Sequence, residues 1–188
     1  RLSKIDSDGY IDRAYSDLKS YFIQGAYFKG NTLIKALTFG GHEKTYQSWY
    51  GLSWDELQDN RRQNPYTYEN EIDNYKQDHY QLHWNQKLNE KWSTNLGLNY
   101  TYGRGYFEQY READSVDTYG GIVDSDTDQN GNLTGTTDLI RRRWLDNNFY
   151  VLNASTNYNS SKLNLMFNTS YSTSSGDHFG EVIWARNF

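Results

Sequence analysis

Arginine side chains that could bind an anionic ligand occur as a run, Arg141-Arg142-Arg143. Alternation along a strand would place Arg141 and Arg143 on one face and Arg142 on the other. A guanidinium group forms paired hydrogen bonds with carboxylates and phosphates. We therefore expect Arg141 and Arg143 to contact a ligand. The alternatives are pairing with nearby acidic residues or with charged lipid head groups.

Aromatic side chains are frequent in the polar segments, where they could stack on a flat or sugar-like ligand. The candidates for ligand contact are Trp49, Tyr50, Trp54, Tyr106 and Tyr110. The alternative is that they pack these segments against the rest of the protein. Ser53 and Glu56 form a capping box, which predicts a short helix from Trp54 to about Asn60.

The segment DTDQNGNLT, which begins at Asp126, has the spacing of a calcium-binding loop. Oxygen-bearing side chains recur at alternate positions, at Asp126, Asp128 and Asn130, and a glycine follows them. Thr137 stands where such a loop carries a bidentate glutamate. The pattern predicts calcium (Ca2+) in the 126–137 loop, with a polar loop tip as the alternative. The acidic segment 6–12 we interpret as a turn.

Residue types that perform catalysis do not form a recognisable motif. His79 and His83 share one face of a predicted strand, but about 13 Å separates them at the rise of a β-strand, too far for one metal ion. We interpret them as polar lining residues. The sequence contains no GxSxG, no HExxH, no glycine-rich phosphate loop and no cysteine. It therefore predicts that the protein is not an enzyme. The alternative is an outer-membrane barrel enzyme, which would need a Ser-His or paired-acid site at the rim of the barrel.

The elements that must position these residues are predicted to be long β-strands. Between Trp92 and Tyr102, tryptophan, leucine and tyrosine alternate with serine, asparagine and glycine. The same alternation runs through 80–88 and 163–171, and in 33–39 we assign Leu33, Leu37 and Phe39 to the apolar face. Strands of about ten residues exceed the usual five or six and can cross a bilayer when tilted.

Short and long connections alternate along the chain. Polar turns at 29–32, 89–91 and 159–162 separate the alternating runs, as in hairpins. The longer polar segments are 5–15, 46–75, 105–137 and 174 onward. Short turns at one end and long loops at the other are typical of bacterial outer-membrane barrels. A soluble antiparallel barrel or sandwich is the alternative.

The composition favours a protein in which many side chains lie at a boundary between apolar material and water. The 188 residues include 18 Tyr and 6 Trp, yet only 36 % are hydrophobic, a low fraction for a compact soluble domain. Aromatic residues collect near the ends of the predicted strands, as in the interfacial belts of membrane barrels. The net charge of -5 argues against a nucleic-acid partner.

Four segments carry a resemblance to a known family. They are DGYIDRAYSDLKSYFIQGAY (8–27), LIKALTFGGHEKTYQSWYGLSWDEL (33–57), RRRWLDNNFY (141–150) and GDHFGEVIWAR (176–186). They resemble the β-barrel of TonB-dependent outer-membrane receptors of the Bacteroidetes type, over nearly the whole chain. The resemblance implies a 22-stranded outer-membrane β-barrel with an N-terminal plug domain. It also implies import of a scarce nutrient, such as a ferric chelate or cobalamin, with energy passed through TonB.

We accordingly expect an all-β chain, an antiparallel up-and-down meander of roughly seven or eight long strands. This would be a partial segment of such a barrel, about a third of it, located in the bacterial outer membrane. The expected partners are outer-membrane lipid, a small nutrient ligand, and the plug domain and TonB through parts of the receptor outside this chain. We assign residues 1–188 to the barrel domain and interpret 181–188 as the start of a loop. The alternative function is a soluble or surface-attached all-β module that binds carbohydrate.

Overall fold

The computed structural model describes residues 1–187 and shows one antiparallel sheet of seven strands. The strands are β1 (Leu2–Ser7), β2 (Ser16–Lys29), β3 (Thr32–Tyr46), β4 (Ile72–Lys87), β5 (Trp92–Ser115), β6 (Thr136–Asn159) and β7 (Asn164–Ala185). Each strand pairs only with its neighbours in the sequence, so the sheet is an up-and-down meander with β1 and β7 at its edges. The predicted fold class is confirmed.

Two short helices lie in the long connections. Helix α1 (Trp54–Asp59) begins with the predicted capping box: Ser53 Oγ accepts from the Glu56 amide, and the Glu56 carboxylate accepts from the Ser53 amide. Asn60 is its C-cap residue, so the helix ends within one residue of the predicted position. A 3₁₀ helix covers Val116–Tyr119. No helix within residues 1–187 is both long and apolar enough to cross a membrane.

The connections divide the sheet into two different ends. At one end β2–β3, β4–β5 and β6–β7 are joined by the short turns that the sequence predicts, and Gly30 in the first adopts a positive φ of 58°. At the other end the connections are 8–15, 47–71 and 116–135. We call these the turn end and the loop end.

The strands at the loop end are longer than predicted. β5 and β6 have 24 residues each and β7 has 22. The polar segments expected at 105–137 and from 174 onward are therefore wrong in extent, and residues 181–185 belong to β7 instead of a loop. Phe188, the last residue of that predicted loop, lies outside the described residues. Polar residues extend these strands because opposite charges meet across them, as where Glu181 lies opposite Arg142.

The register between strands gives the sheet an apolar face and a polar face. On the apolar face Leu82, Leu98 and Leu152 lie side by side, and the rings of Tyr80, Tyr100 and Tyr150 stack in the next row. On the polar face the corresponding rows carry Gln81 and Asn99, then His83, Gly97, Asn153 and Ser170. The large apolar side chains of the first face remain exposed, because no second layer covers them in residues 1–187.

The apolar face of β3 differs from the prediction. Leu33, Leu37 and Phe39 lie on the polar face, where Leu37 pairs with Gln81 and the Phe39 ring stacks on His79 at 4.4 Å. Ile34 is the large apolar residue of β3 on the apolar face, opposite Trp84. Both faces of this strand carry apolar residues, so its own alternation is ambiguous and pairing with β2 and β4 decides.

Buried side chains are concentrated where a loop folds onto the sheet. Val123 of the 116–135 loop packs with Leu139 of β6 and Ala185 of β7. Val116, Tyr119 and Val182 pack against this cluster. This cluster lies at the loop end, on the polar face. Tyr46 and Ile72 form a second buried pair at the loop end, on the apolar face.

Close approach of β4 and β5 requires glycine at position 105. A Cβ at Gly105 would lie 2.5 Å from the Tyr75 Cα and would overlap the Asn74 carbonyl oxygen. We expect Gly105→Ala to lower the free energy of unfolding by about 1–3 kcal/mol, because backbone must move. Gly25→Ala, with nothing within 4 Å of its Cβ, is the matched control and should not destabilise. Thermal unfolding followed by circular dichroism makes the comparison, and equal midpoints for the two variants would contradict the expectation.

Candidate functional site at the loop end

The 47–71 loop is held to the sheet by a hydrogen-bonded ion pair. Arg142 Nε donates to Glu108 Oε2 at 2.8 Å, and Tyr68 Oη donates to Glu108 Oε1 at 2.7 Å. The Glu108 side chain is only 3 % exposed, so its charge depends on these two donors. Burial, aided by the hydrogen bond to Glu108, raises the pKa of Tyr68 to about 12. Arg142 also covers the Tyr106 ring at 4.5 Å.

A second contact of the same loop lies beside this pair. The Glu71 side chain, 2 % exposed as a residue, accepts from the Tyr110 amide at 3.2 Å. Burial raises the pKa of Glu71, although this hydrogen bond and the nearby Arg111 oppose the shift. The loop therefore lies against β5 through a buried acidic side chain as well as through Tyr68.

The 116–135 loop is held on the polar face by Arg141. Its Nη1 donates to Tyr119 Oη at 3.0 Å, and its Nη2 donates to Gln109 Oε1 at 3.2 Å. Tyr119 Oη donates in turn to Asp114 at 2.6 Å, and Arg111 pairs with the same carboxylate at 3.2 Å. Burial would raise the pKa of Asp114, but the hydrogen bonds from Arg111 and Tyr119 outweigh it and lower the pKa. Arg141 thus takes the alternative that the sequence left open, pairing with an acidic residue.

Arg143 is placed differently from its two neighbours. Its guanidinium lies over the Phe107 ring, 5.3 Å from the centroid, and Trp49 meets the same ring edge-on at 5.4 Å. Within residues 1–187 no acidic oxygen lies within 4 Å of its nitrogens. We call Trp49, Phe107 and Arg143 the Arg143 cluster. It brings together two predicted ligand contacts, and it offers an exposed cation with aromatic walls.

An acidic residue of the sheet, Asp73, lies opposite Phe107 of this cluster in the register. Burial raises the pKa of Asp73, and the charge of Glu43 raises it further.

Of the other aromatic side chains predicted to contact a ligand, some pack against the protein and some are exposed to solvent. Tyr50 lies against Tyr66 at 5.4 Å, and Tyr110 donates to Asp138 at 2.8 Å. Tyr106 packs on Trp144 at 4.6 Å, on the apolar face. Tyr106 and Tyr110 thus anchor strands, which is the alternative given for them, whereas Tyr50 keeps 64 % of its surface exposed. Trp54 projects from helix α1 with 74 % of its surface exposed.

The predicted calcium ligands do not converge. Asp126 accepts hydrogen bonds from Thr137, Arg186 and Asn187. Asp128 accepts from the amides of Asn130 and Asn132, closing a small hairpin in which Gly131 has a φ of 82°. Within the described chain no group of three or more His, Cys, Asp or Glu side chains could hold a metal ion. Calcium binding by the 126–137 loop stays a prediction.

The two strand histidines have protein partners on the polar face. His79 Nδ1 is 2.9 Å from Thr101 Oγ1, and His83 Nε2 is 3.2 Å from Gln81 Oε1. His79, Gln81 and His83 share one face, as predicted. They contribute hydrogen-bonding groups to that face.

Several residues that shape this site were not identified from the sequence. Glu108, Asp114 and Tyr68 carry the contacts that hold the two loops. The signal that could have found Glu108 is alternation that continues beyond Tyr102, because Tyr106, Glu108 and Tyr110 share one face of β5. Asp114 follows the bulge in β5, where alternation is interrupted and gives no guide.

Comparisons with protein-family models, with curated proteins and with solved structures give no match for this chain.

The ion pair at Glu108 should control how firmly the 47–71 loop is held. Arg142→Met leaves the Glu108 charge buried with one donor, so we expect the docked loop to lose about 2–4 kcal/mol. This is less than for a fully buried pair, because the Arg142 side chain is 31 % exposed. Hydrogen exchange of the 47–71 amides measures the change. Arg143→Met is the control, since it removes an adjacent arginine with no acidic partner, and equal exchange in both variants would contradict this role.

The Tyr68 phenol should give the loop a characteristic alkaline limit. Its pKa is raised from 10.0 to about 12, so the neutral phenol contributes its full stabilisation below about pH 10. That contribution is lost as the pH rises through about 12. We expect the last tyrosine ionisation in an absorbance titration to coincide with faster exchange of the 47–71 amides. Tyr68→Phe should remove that late ionisation, and an unchanged titration curve would show that another group is responsible.

Proposed function

We propose that this chain forms part of the wall of an outer-membrane β-barrel in a TonB-dependent receptor. The receptor imports a scarce nutrient, such as a ferric chelate or cobalamin. The observation that carries the proposal is a single-layer sheet with one exposed apolar face and an opposite face rich in amides and hydroxyls, most of all near the turn end. Apolar residues such as Leu37 and Val151 also occur on that opposite face. The apolar side chains of the first face would contact the hydrocarbon of a bilayer, and the polar side chains of the second would be hydrated by water inside the barrel.

The height of the apolar band supports the proposal. Along β5 it extends from Trp92 to Tyr102, about 34 Å at the rise of an antiparallel strand. Tilted as in membrane barrels, this span is about 25 Å tall, which matches their apolar belt. Aromatic pairs mark both ends: Trp92 packs on Tyr158 at 4.9 Å near the turns, and Tyr100 stacks on Tyr150 at 4.8 Å toward the loops.

The polar face supports a water-filled interior. Near the turn end it forms an open depression of about 500 Å³, and no charged side chain lines it. The polar side chains that line it from this face are His83, Asn85, Asn95, Asn153, Ser155, Asn168 and Ser170. Neutral donors and acceptors of this kind remain hydrated, and in the receptor they would face the plug domain supplied by another part of the protein.

Ligand capture is assigned to the loop end of the same face. The Arg143 cluster lies on the polar face, above the proposed interior, and the 116–135 loop folds onto that face beside it. A cation over an aromatic ring suits an anionic or flat ligand group. No covalent chemistry is required, so we do not assign an enzymatic activity.

A soluble or surface-attached carbohydrate-binding module is the second candidate. The exposed aromatic side chains of the 47–71 loop, Trp49, Tyr50 and Trp54, favour it because such rings stack on sugars. This candidate requires a further layer to cover the apolar face. The receptor needs no such layer, which is why we prefer it.

Accessibility on the two faces of β5 separates these candidates. The 188 residues contain no cysteine, so the full-length protein, with any cysteine outside them replaced, can carry a single nitroxide label. The label is placed at Leu98→Cys on the apolar face or at Asn99→Cys on the polar face. In a bilayer we expect lipid-soluble oxygen to relax the label at 98 and a water-soluble nickel chelate to relax the label at 99. A label at 98 that neither reagent reaches, in protein that stays in solution without detergent, would favour the carbohydrate module.

Import itself is tested by growth. We expect deletion of the gene to slow growth on one limiting nutrient from a panel of ferric chelates and cobalamin. The Arg143→Gln variant, used to complement the deletion strain, should bind that nutrient about tenfold or more weakly than the wild type. This is the loss expected for a charged hydrogen bond. Arg61→Gln, an exposed arginine without an ion-pair partner in residues 1–187, is the control. Normal growth of the deletion strain on every nutrient would contradict an import function.

A further inference from the structure

Basic side chains form a row across the first five strands, on the apolar face. The register places Lys4 opposite Lys19, Lys19 opposite His42, His42 opposite Lys76, and Lys76 opposite Arg104. Neighbouring strands lie about 4.8 Å apart, so the row is about 19 Å long. We call these five residues the basic row.

Like charges directly opposite one another destabilise a sheet, so the row requires compensation. Part of it comes from acidic neighbours: Lys4 pairs with Asp6 at 2.8 Å, Lys19 with Asp17 at 3.1 Å, Lys76 with Asp78 at 3.0 Å and Arg104 with Asp146 at 3.4 Å. The basic side chains of these pairs are 52–63 % exposed. Ion pairs with an exposed partner contribute little to stability, and the exposed ammonium and guanidinium groups retain donors that can reach a further anion. The carboxylate of Asp78, with a side chain only 10 % exposed, stays with Lys76.

One further lysine adds positive charge beside the row. Lys44 lies on the same face, one row nearer the loops and opposite Asn74. Among residues 1–187 no acidic oxygen is within 4 Å of its ammonium nitrogen. Its other neighbour in the register is Asp17, which pairs instead with Lys19 at 3.1 Å. The Lys44 ammonium group therefore forms no ion pair within 4 Å in the described chain, although a carboxylate lies across the strands from it.

The position of the row identifies the anion. Arg104 lies two residues beyond Tyr102, about 7 Å further along the strand. Passing from the turn end to the loop end, the face thus presents the apolar band, then Tyr21 and Tyr102, then the basic row. Hydrocarbon, the interfacial region and the phosphate plane follow one another in the same order in a bilayer.

We propose that the basic row binds the phosphate groups of anionic lipids in the leaflet that surrounds the loop end. This inference rests on the proposed function, because it requires the apolar face to lie in a bilayer. Phosphate oxygens accept hydrogen bonds from ammonium and guanidinium groups and carry the complementary charge. Adjacent basic groups about 4.8 Å apart also suit a lipid that carries more than one phosphate.

Lipid selectivity in a reconstituted bilayer tests the proposal. The full-length protein is placed in phosphatidylcholine bilayers that contain spin-labelled phosphatidylglycerol or spin-labelled phosphatidylcholine, and the motionally restricted fraction of each lipid is measured. We expect the anionic lipid to associate at least about threefold more strongly, since one basic residue near an anionic surface is worth roughly fivefold. The preference should decrease as salt is raised.

Variants locate the preference. Lys19→Gln/Lys76→Gln/Arg104→Gln should abolish it, whereas Lys29→Gln/Lys91→Gln/Lys162→Gln, which removes the same charge at the turn end, should retain it. Lys19→Arg/Lys76→Arg keeps the charge and should also retain it, which guards against a loss caused by misfolding. Equal selectivity of the wild type and the first variant, in protein that floats with the bilayer, overturns the proposal. Wild-type protein that does not float with the bilayer overturns the proposed function instead.

Discussion

The register of hydrogen bonds between neighbouring strands is the constraint on which the rest of this structure depends. Side chains alternate between the two faces, so a shift of one residue would exchange the apolar row that contains Leu82 and Leu98 with the polar row that contains Gln81 and Asn99. The sheet is a single layer, so side chains moved to the wrong face by a shift in register would have no second layer to pack against. Every functional assignment, whether to the apolar or to the polar face, follows from this pairing.

The same constraint gives three adjacent arginines three different environments. Arg142 lies on the apolar side and neutralises the buried Glu108, whereas Arg141 and Arg143 lie on the polar side. Arg141 is held by Tyr119 and Gln109 under the 116–135 loop. Arg143 rests on an aromatic ring and keeps its donors free of acidic partners in the described chain. Two arginines thus stabilise the loops, and the third is the one to which we propose a ligand contact.

Stability and function are distributed differently along the sheet. The buried side chains lie at the loop end, where β5, β6 and β7 extend beyond their neighbours and the loops fold onto them. The middle of the sheet is held by backbone pairing and by rows of stacked tyrosine, with large apolar side chains exposed. Exposing such a surface to water has an unfavourable free energy, because apolar side chains are better solvated by hydrocarbon. In a lipid bilayer the same surface does not carry this cost. The basic row lies where those two surroundings would meet.

Local signals in the sequence determined the parts of the structure that depend on residues close together in the chain. The turns at 29–32, 89–91 and 159–162 and the capping box at Ser53 were predictable, because a few adjacent residues suffice for each. Alternation also assigned the faces of β4, β5 and the first part of β7. Only the tertiary structure decided the face of β3 and the continuation of β5, β6 and β7 into polar sequence, because those features depend on strands that are distant in the chain. The tertiary structure also decided that Asp126 accepts a hydrogen bond from Arg186, which is distant in the sequence. The spacing of Asp126 and Asp128 along the chain does not show which donors folding brings to each carboxylate.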